Sequence, residues 1–149
     1  MDVKEKDQEN EQTTNVPVII PAAGEDPVFK KMLNGKPKTM LEISGKTLLD
    51  HQIQTLNNGN LMDITVIAGY SRDQVKAEGV NILENPDFKN GSVLNSLFIG
   101  KEKMHNGFIM LYSDILMEDT IIKELIDRRE DIILVADNST QYHENQEGN

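Results

Sequence analysis

The chain has 149 residues, a formal net charge of −10 and no cysteine. That length suits one domain, and the missing cysteines exclude disulfides, thiolate metal sites and cysteine nucleophiles. An acidic balance with no stripe of Lys or Arg argues against a long nucleic-acid partner and against anionic membrane surfaces.

The first fifteen residues, Met1 to Asn15, are acidic and almost free of apolar side chains, so they cannot offset the entropy of ordering them. They are expected to be a tail or an interdomain linker. No basic stretch followed by an apolar run marks a signal peptide, and no segment has the length of a membrane span, so the expected compartment is the cytoplasm. Five short apolar runs follow as strand candidates: Val16–Ile20, Asp63–Gly69, the weaker Val80–Glu84, Gly107–Tyr112 and Asp131–Ala136. They are continuous rather than alternating, which is the pattern of strands buried on both faces of a parallel sheet.

Helical patterns separate them. Lys46–Asn58 places Leu48, Leu49, Ile53 and Leu56 on one face, and Gly59 follows as a stop. Ser71–Ala77 predicts a short helix capped by Ser71. Ser92–Met104 and Asp119–Arg129 complete the set. Strand–helix alternation predicts a three-layer α/β/α Rossmann-like sandwich with a mostly parallel sheet over residues 16–137, and residues 138–149 read as a polar tail. The seven methionines read as core filler.

Ligands of open parallel sheets sit outside the carboxyl ends of the strands. Three unusual segments fall there: Pro21 to Lys38, Gly69-Tyr70 and Ser113-Asp114. Pro21-Ala22-Ala23-Gly24 has small side chains that let backbone amides approach a ligand, although an ordinary tight turn has the same composition. Gly35-Lys36-Pro37-Lys38 holds a lysine on a stiffened backbone, suited to stabilising phosphate charge. No G-x-G-x-x-G and no P-loop motif occurs. His51, His105 and His143 have no partners at ligand spacing and read as surface residues.

Taken in order, Pro21-Ala-Ala-Gly24, Lys36-Pro-Lys-Thr-Met-Leu41, Gly45-Lys-Thr-Leu-Leu49, Ile53-Gln-Thr-Leu56, Thr65-Val-Ile-Ala-Gly-Tyr70, Asn85-Pro-Asp-Phe88, Ser92 to Leu97 and Ser113-Asp114 resemble the sugar-nucleotide and MobA-like nucleotidyltransferases. The likeness runs from Val16 to Asp137. Within that superfamily the chain is most similar to the cytidylyltransferases of phosphocholine and 2-aminoethylphosphonate, the latter including forms fused to phosphoenolpyruvate mutase. The resemblance implies transfer of a nucleotidyl group, with CTP favoured, to a small phosphate or phosphonate acceptor and release of pyrophosphate. It assigns the nucleotide to Pro21, Ala22, Ala23, Gly24, Tyr70, Asn85, Asn95 and Ser96, the triphosphate to Lys38, and Mg²⁺ to Asp114.

The chain departs from the family pattern in two places. Where relatives carry a second glycine and then an arginine after Ala-Ala-Gly, it has Asp26 and Val28, with Glu25 also in the loop; Lys30 and Lys31 are the nearby cations. Relatives also continue with further strands, an acceptor-binding lobe and a second metal carboxylate, and none of these is assignable after Asp137. Glu144 and Glu147 sit in the polar tail. The chain is therefore expected to be truncated on its C-terminal side, with exposed sheet surface covered by a fused domain, a partner or a second copy. The alternative reading is a non-catalytic, degenerate nucleotidyltransferase-like binding or interaction module.

Overall fold

The computed structural model describes residues 16–138, so the expected tail at residues 1–15 and the tail beyond Asn138 lie outside the described residues. The elements in chain order are β1 (Val18–Ala22), α1 (Pro27–Met32), β2 (Glu42–Ile43), β3 (Lys46–Thr47), α2 (Leu48–Asn58), β4 (Ile64–Ala68), β5 (Asn81–Glu84), α3 (Val93–Ile99), β6 (Ile109–Met110) and α4 (Asp119–Asp127). Four strands form one sheet in the order β5-β4-β1-β6, and every pairing in it is parallel. β2 and β3 form a separate antiparallel hairpin.

β1 and β4 are buried along their whole length because helices cover both sides of the sheet. Side chains alternate between faces. Val18, Ile20 and Ala22, with Ile64, Val66 and Ala68, pack against Leu49, Ile53 and Leu56 of α2 and Ile122 of α4. On the opposite face Ile19 and Ile67 pack against Leu97 of α3, flanked by Met104 and Met110. This is the expected three-layer α/β/α arrangement.

Local chemistry sets the helix limits. Thr47 accepts from the Asp50 amide while the Asp50 carboxylate accepts from the Thr47 amide, a capping box that starts α2. Gly59 ends it and does more than stop the helix. A Cβ there would lie 2.4 Å from Cγ2 of Ile122, so the missing side chain lets α4 lie against the end of α2.

Several expectations are corrected. The Gly107–Tyr112 run yields only the two residues of β6. Backbone groups of β1 alternate in direction: Val18 N–H donates to Asp63 on the β4 side, and the Ile19 carbonyl accepts from Leu111 on the β6 side. Pro21 shares the direction of Ile19 and has no N–H to extend that ladder, so pairing with β6 stops there.

Asp131–Ala136 forms no strand; Ile132 and Leu134 are 85% and 90% exposed. β-branched composition stabilises a strand only where a neighbour supplies hydrogen bonds and a packing face, and β6 has none on its outer side among the described residues.

Ser71–Ala77 is a 3₁₀ turn at Arg72–Gln74 rather than a helix. Ser71 adopts a left-handed φ of 46° and donates its hydroxyl to the Gly35 carbonyl instead of capping. The helix expected over Ser92–Met104 ends at Ile99, with a 3₁₀ turn at Lys101–Lys103. α4 likewise stops at Asp127, short of the expected Arg129. α1 and β2 fall in a stretch where no regular element was expected, and β3 takes Lys46 and Thr47, the first two residues of the expected Lys46–Asn58 helix, so α2 starts at Leu48. Met32 and Met62 are exposed rather than core filler, whereas Met104, Met110 and Met117 pack on the core. Among the described residues no helix is long and apolar enough to cross a membrane.

Candidate functional site

Because the sheet is wholly parallel, the segments after β1, β4, β5 and β6 all emerge at one edge. Pro21 and Ala22 are the buried last residues of β1 and Ala23 is also buried, so these three have only backbone groups to offer a ligand. Gly24 begins the open loop: a Cβ built on it meets nothing within 4 Å. The Ala23 carbonyl accepts from the Tyr70 amide at 2.9 Å, which ties the exit of β1 to that of β4. Gly69 is obligatory at this joint. Its Cβ would lie 2.6 Å from Cβ of Phe88 and 2.8 Å from the Ala23 carbonyl oxygen.

Lys38 and Asp114 meet here. Pro37 presents Lys38 in extended conformation at the start of a 3₁₀ turn, and Lys38 Nζ lies 2.7 Å from Asp114 Oδ2. Both side chains remain accessible, at 27% and 49%. Asp114 sits beyond β6, in a loop fixed from below. Gln52 of α2, 2% exposed, donates its amide to the carbonyls of Tyr112 at 2.8 Å and Ile115 at 2.7 Å. Sequence reading missed Gln52 as a positioning residue. Its signal was a polar side chain on the apolar stripe of Leu48, Leu49, Ile53 and Leu56.

Among the described residues no three His, Asp or Glu side chains form a metal cage. Asp114 offers hard carboxylate oxygens at this edge. That fits a divalent cation whose remaining ligands are water and substrate phosphate, the usual manner of Mg²⁺.

The two loop carboxylates both have local roles. Asp26 caps α1, its Oδ1 accepting from Val28 N at 2.9 Å and Phe29 N at 3.2 Å, with Pro27 at the first helical position. Glu25 pairs with Lys30 one turn into α1. Pairing with the Glu25 carboxylate raises Lys30 above its ordinary lysine value. Lys30 Nζ also lies 5.5 Å from the ring centroid of Tyr70, which meets Phe88 edge-on at 6.4 Å.

Asn85, Asn95 and Ser96 form a second group after β5. Asn85 and Ser96 are buried, with Asn85 Nδ2 donating to Ser96 Oγ at 3.0 Å and Asn85 Oδ1 accepting from Asp87 N at 3.0 Å. Their polar groups thus hold the 85–92 loop against α3. Asn95 is exposed; with Asn85, Asp87, Phe98 and Ile99 it lines a pocket of about 400 Å³. β5 and β6 lie three strand spacings apart, roughly 14 Å. Asn85 and Asp114 therefore mark opposite flanks of the Gly24 loop. A larger cavity of about 900 Å³, between α2 and residues 75–78, includes none of the expected site residues.

A model of the MobA-like NTP transferase domain matches residues 18–144. The CTP:phosphoglutamine cytidylyltransferase of Campylobacter jejuni is 25% identical over 132 residues, covering 81% of this chain and 52% of that protein. The choline-phosphate cytidylyltransferase of Streptococcus pneumoniae is 26% identical over 111 residues, covering 72% and 48%. The chain thus spans about half the length of these curated relatives. Among solved structures, the CTP:phosphocholine cytidylyltransferase LicC of Streptococcus pneumoniae superposes with a TM-score of 0.62 at 24% identity, covering 70% of this chain and 50% of LicC. A manganese complex of the Mycobacterium tuberculosis protein Rv0371c superposes with a TM-score of 0.57 at 16% identity, covering 76% and 59%. With the parallel sheet, the open loop after β1 and the family match over most of its length, this chain belongs to the MobA-like NTP transferase domain family.

Proposed function

We propose that this chain carries the nucleotide-binding half of a CTP-dependent cytidylyltransferase acting on a small phosphate or phosphonate acceptor. The observation that carries the reading is the meeting of Lys38 and Asp114 at the carboxyl edge of the sheet, beside the open Gly24 loop. The two cytidylyltransferase relatives support the choice of CTP.

In this reading the Ala22-to-Gly24 backbone and the Asn85–Asn95 flank seat the nucleotide, while Lys38 stabilises charge on the triphosphate. An ionised acceptor oxygen attacks the α-phosphorus, the bond from that phosphorus to the α–β bridging oxygen breaks, and pyrophosphate leaves. An already ionised nucleophile needs no general base, so the chain contributes positioning and charge stabilisation. Asp114 would hold Mg²⁺, which when bound neutralises triphosphate charge. The exposed Ile132–Val135 stretch is assigned to contact with further polypeptide, whether a fused domain or a second copy. The cysteine-free composition accords with a cytoplasmic setting.

Calorimetry of CTP with and without Mg²⁺, on this chain and on Asp114→Ala, tests the reading. The expected result is Mg²⁺-dependent binding that weakens at least about tenfold on substitution. A folded chain that binds no nucleoside triphosphate would overturn it in favour of a non-catalytic module. Asp26 and Glu25, which put two carboxylates in the phosphate loop, are the observation favouring that second reading.

A further inference from the structure

We infer that Lys30 is a second triphosphate-contacting cation of this site, held by Glu25 in the ligand-free chain and exchanged onto phosphate when nucleotide binds. This rests on the nucleotide-binding reading above and deepens it. The loop after Gly24 has no arginine: Val28 is apolar and exposed, and the N-terminus of α1 is already filled by the Asp26 carboxylate. Lys30 is the basic side chain that the structure turns back toward this loop, through its hydrogen bond to Glu25.

Its placement is built from three elements. The Tyr70 ring lies beneath its ammonium, and Tyr70 is itself anchored to the end of β1 through Ala23. The Lys30 carbonyl accepts from the Gly35 amide at 2.9 Å, and the Gly35 carbonyl accepts from the Ser71 hydroxyl at 2.9 Å. The backbone of α1 is thereby tied to the exit of β4, and its lysine ammonium lies against Glu25 of the loop that follows Gly24 and over the Tyr70 ring.

The exchange is physically easy. The Lys30 and Glu25 side chains are 53% and 32% exposed, and ion pairs in such surroundings contribute little. A triphosphate brings several anionic oxygens against the single carboxylate of Glu25, so charge-assisted hydrogen bonding favours it. Glu25 then turns to solvent. The two site lysines behave alike in the free chain, Lys30 on Glu25 and Lys38 on Asp114, so neither ammonium is left without an anion.

The test is calorimetry of CTP and of CMP, with Mg²⁺, on the full chain and on Lys30→Met, Lys30→Arg, Glu25→Gln and Lys38→Met. Matching far-UV circular dichroism and melting curves establish that each variant is folded. Lys30→Met should weaken CTP about tenfold and CMP less than about twofold, because the contact is to the outer phosphates. Lys30→Arg should restore CTP binding, and Glu25→Gln should tighten it about threefold by removing the competitor. If Lys30→Met binds CTP like wild type while Lys38→Met has lost it, this inference fails and the nucleotide-binding reading stands. Equal weakening of CTP and CMP also overturns it, since that reports a damaged loop. A wild-type chain that binds no CTP overturns both.

Discussion

Gln52 on α2 and Ile115 beyond β6 are joined by a hydrogen bond of 2.7 Å, and the same amide reaches the Tyr112 carbonyl at 2.8 Å. The chain between those carbonyls carries Asp114, so a buried helix residue fixes the height of the candidate metal-binding carboxylate. Replacing Gln52 by Leu keeps the volume but leaves two carbonyls without their donor, at a cost of about 1–3 kcal/mol. The expected outcome is a lower melting temperature together with loss of the Mg²⁺ dependence of CTP binding. A Gln52→Leu chain with unchanged Mg²⁺ response would show that the loop keeps its geometry unaided.

Gly69 is tested by adding one methyl group. Its Cβ would fall 2.6 Å from Phe88 and 2.8 Å from the Ala23 carbonyl oxygen, a backbone atom that cannot swing away. Gly69→Ala should therefore separate the exits of β1 and β4, costing about 1–3 kcal/mol in denaturant unfolding and abolishing nucleotide binding. Gly24→Ala is the control, since a Cβ there meets nothing within 4 Å; its effect on stability should be small.

The middle of the fold was legible in the sequence and its edges were not, for physical reasons visible in particular residues. Ile64–Ala68 is buried throughout, and α2 buries the Leu48, Leu49, Ile53 and Leu56 face that its pattern predicts, so pattern and structure agree. The Asp131–Ala136 run carries an equally strong pattern, but a strand needs a neighbour, and the described residues supply none. β6 is short because of Pro21, a residue of β1 rather than of its own run.

At the site, Lys38 and Asp114 were expected separately and the fold brings them together. α1 was missed because Glu25 and Asp26 were noted only as departures in the loop, whereas Asp26, besides its charge, caps a helix. Asn85 and Ser96 were expected at the nucleotide; they bond to each other, which a sequence cannot display.

The cap suggests a substitution that separates charge from structure. Asn caps helices about as well as Asp, so Asp26→Asn should leave stability within about 0.5 kcal/mol of wild type, while Asp26→Ala should cost about 1 kcal/mol. Removing the charge should also tighten CTP binding, because one fewer carboxylate faces the triphosphate. Thermal melts and calorimetry on both variants check this. Weaker CTP binding by a stable Asp26→Asn chain would mean that the carboxylate itself contributes to the site.

Pairing raises Lys30 above the ordinary lysine value of 10.5 in the folded chain. The stabilising contribution of the pair is therefore complete below the unfolded-chain value and is lost as pH rises through the higher folded value. In an NMR titration of the lysine side chains, Lys30 should lose its proton at higher pH than it does in Glu25→Gln. Identical titration in the two chains would show that the pair does not persist in solution.

The exposed apolar residues of the C-terminal segment give a final prediction. Ile132 and Leu134 are 85% and 90% exposed, and Val135 is 59% exposed. Side chains that bury so little contribute little to folding, so Ile132→Ser with Leu134→Ser should change the unfolding free energy by less than about 0.5 kcal/mol per site. The same change removes much of an apolar surface adjacent in sequence to the end of α4, the kind of surface that drives association. Light scattering after size exclusion should then show less self-association than the wild-type chain. If the double variant unfolds much more easily, the segment packs on the fold in solution. If self-association is unchanged, the surface between copies lies elsewhere.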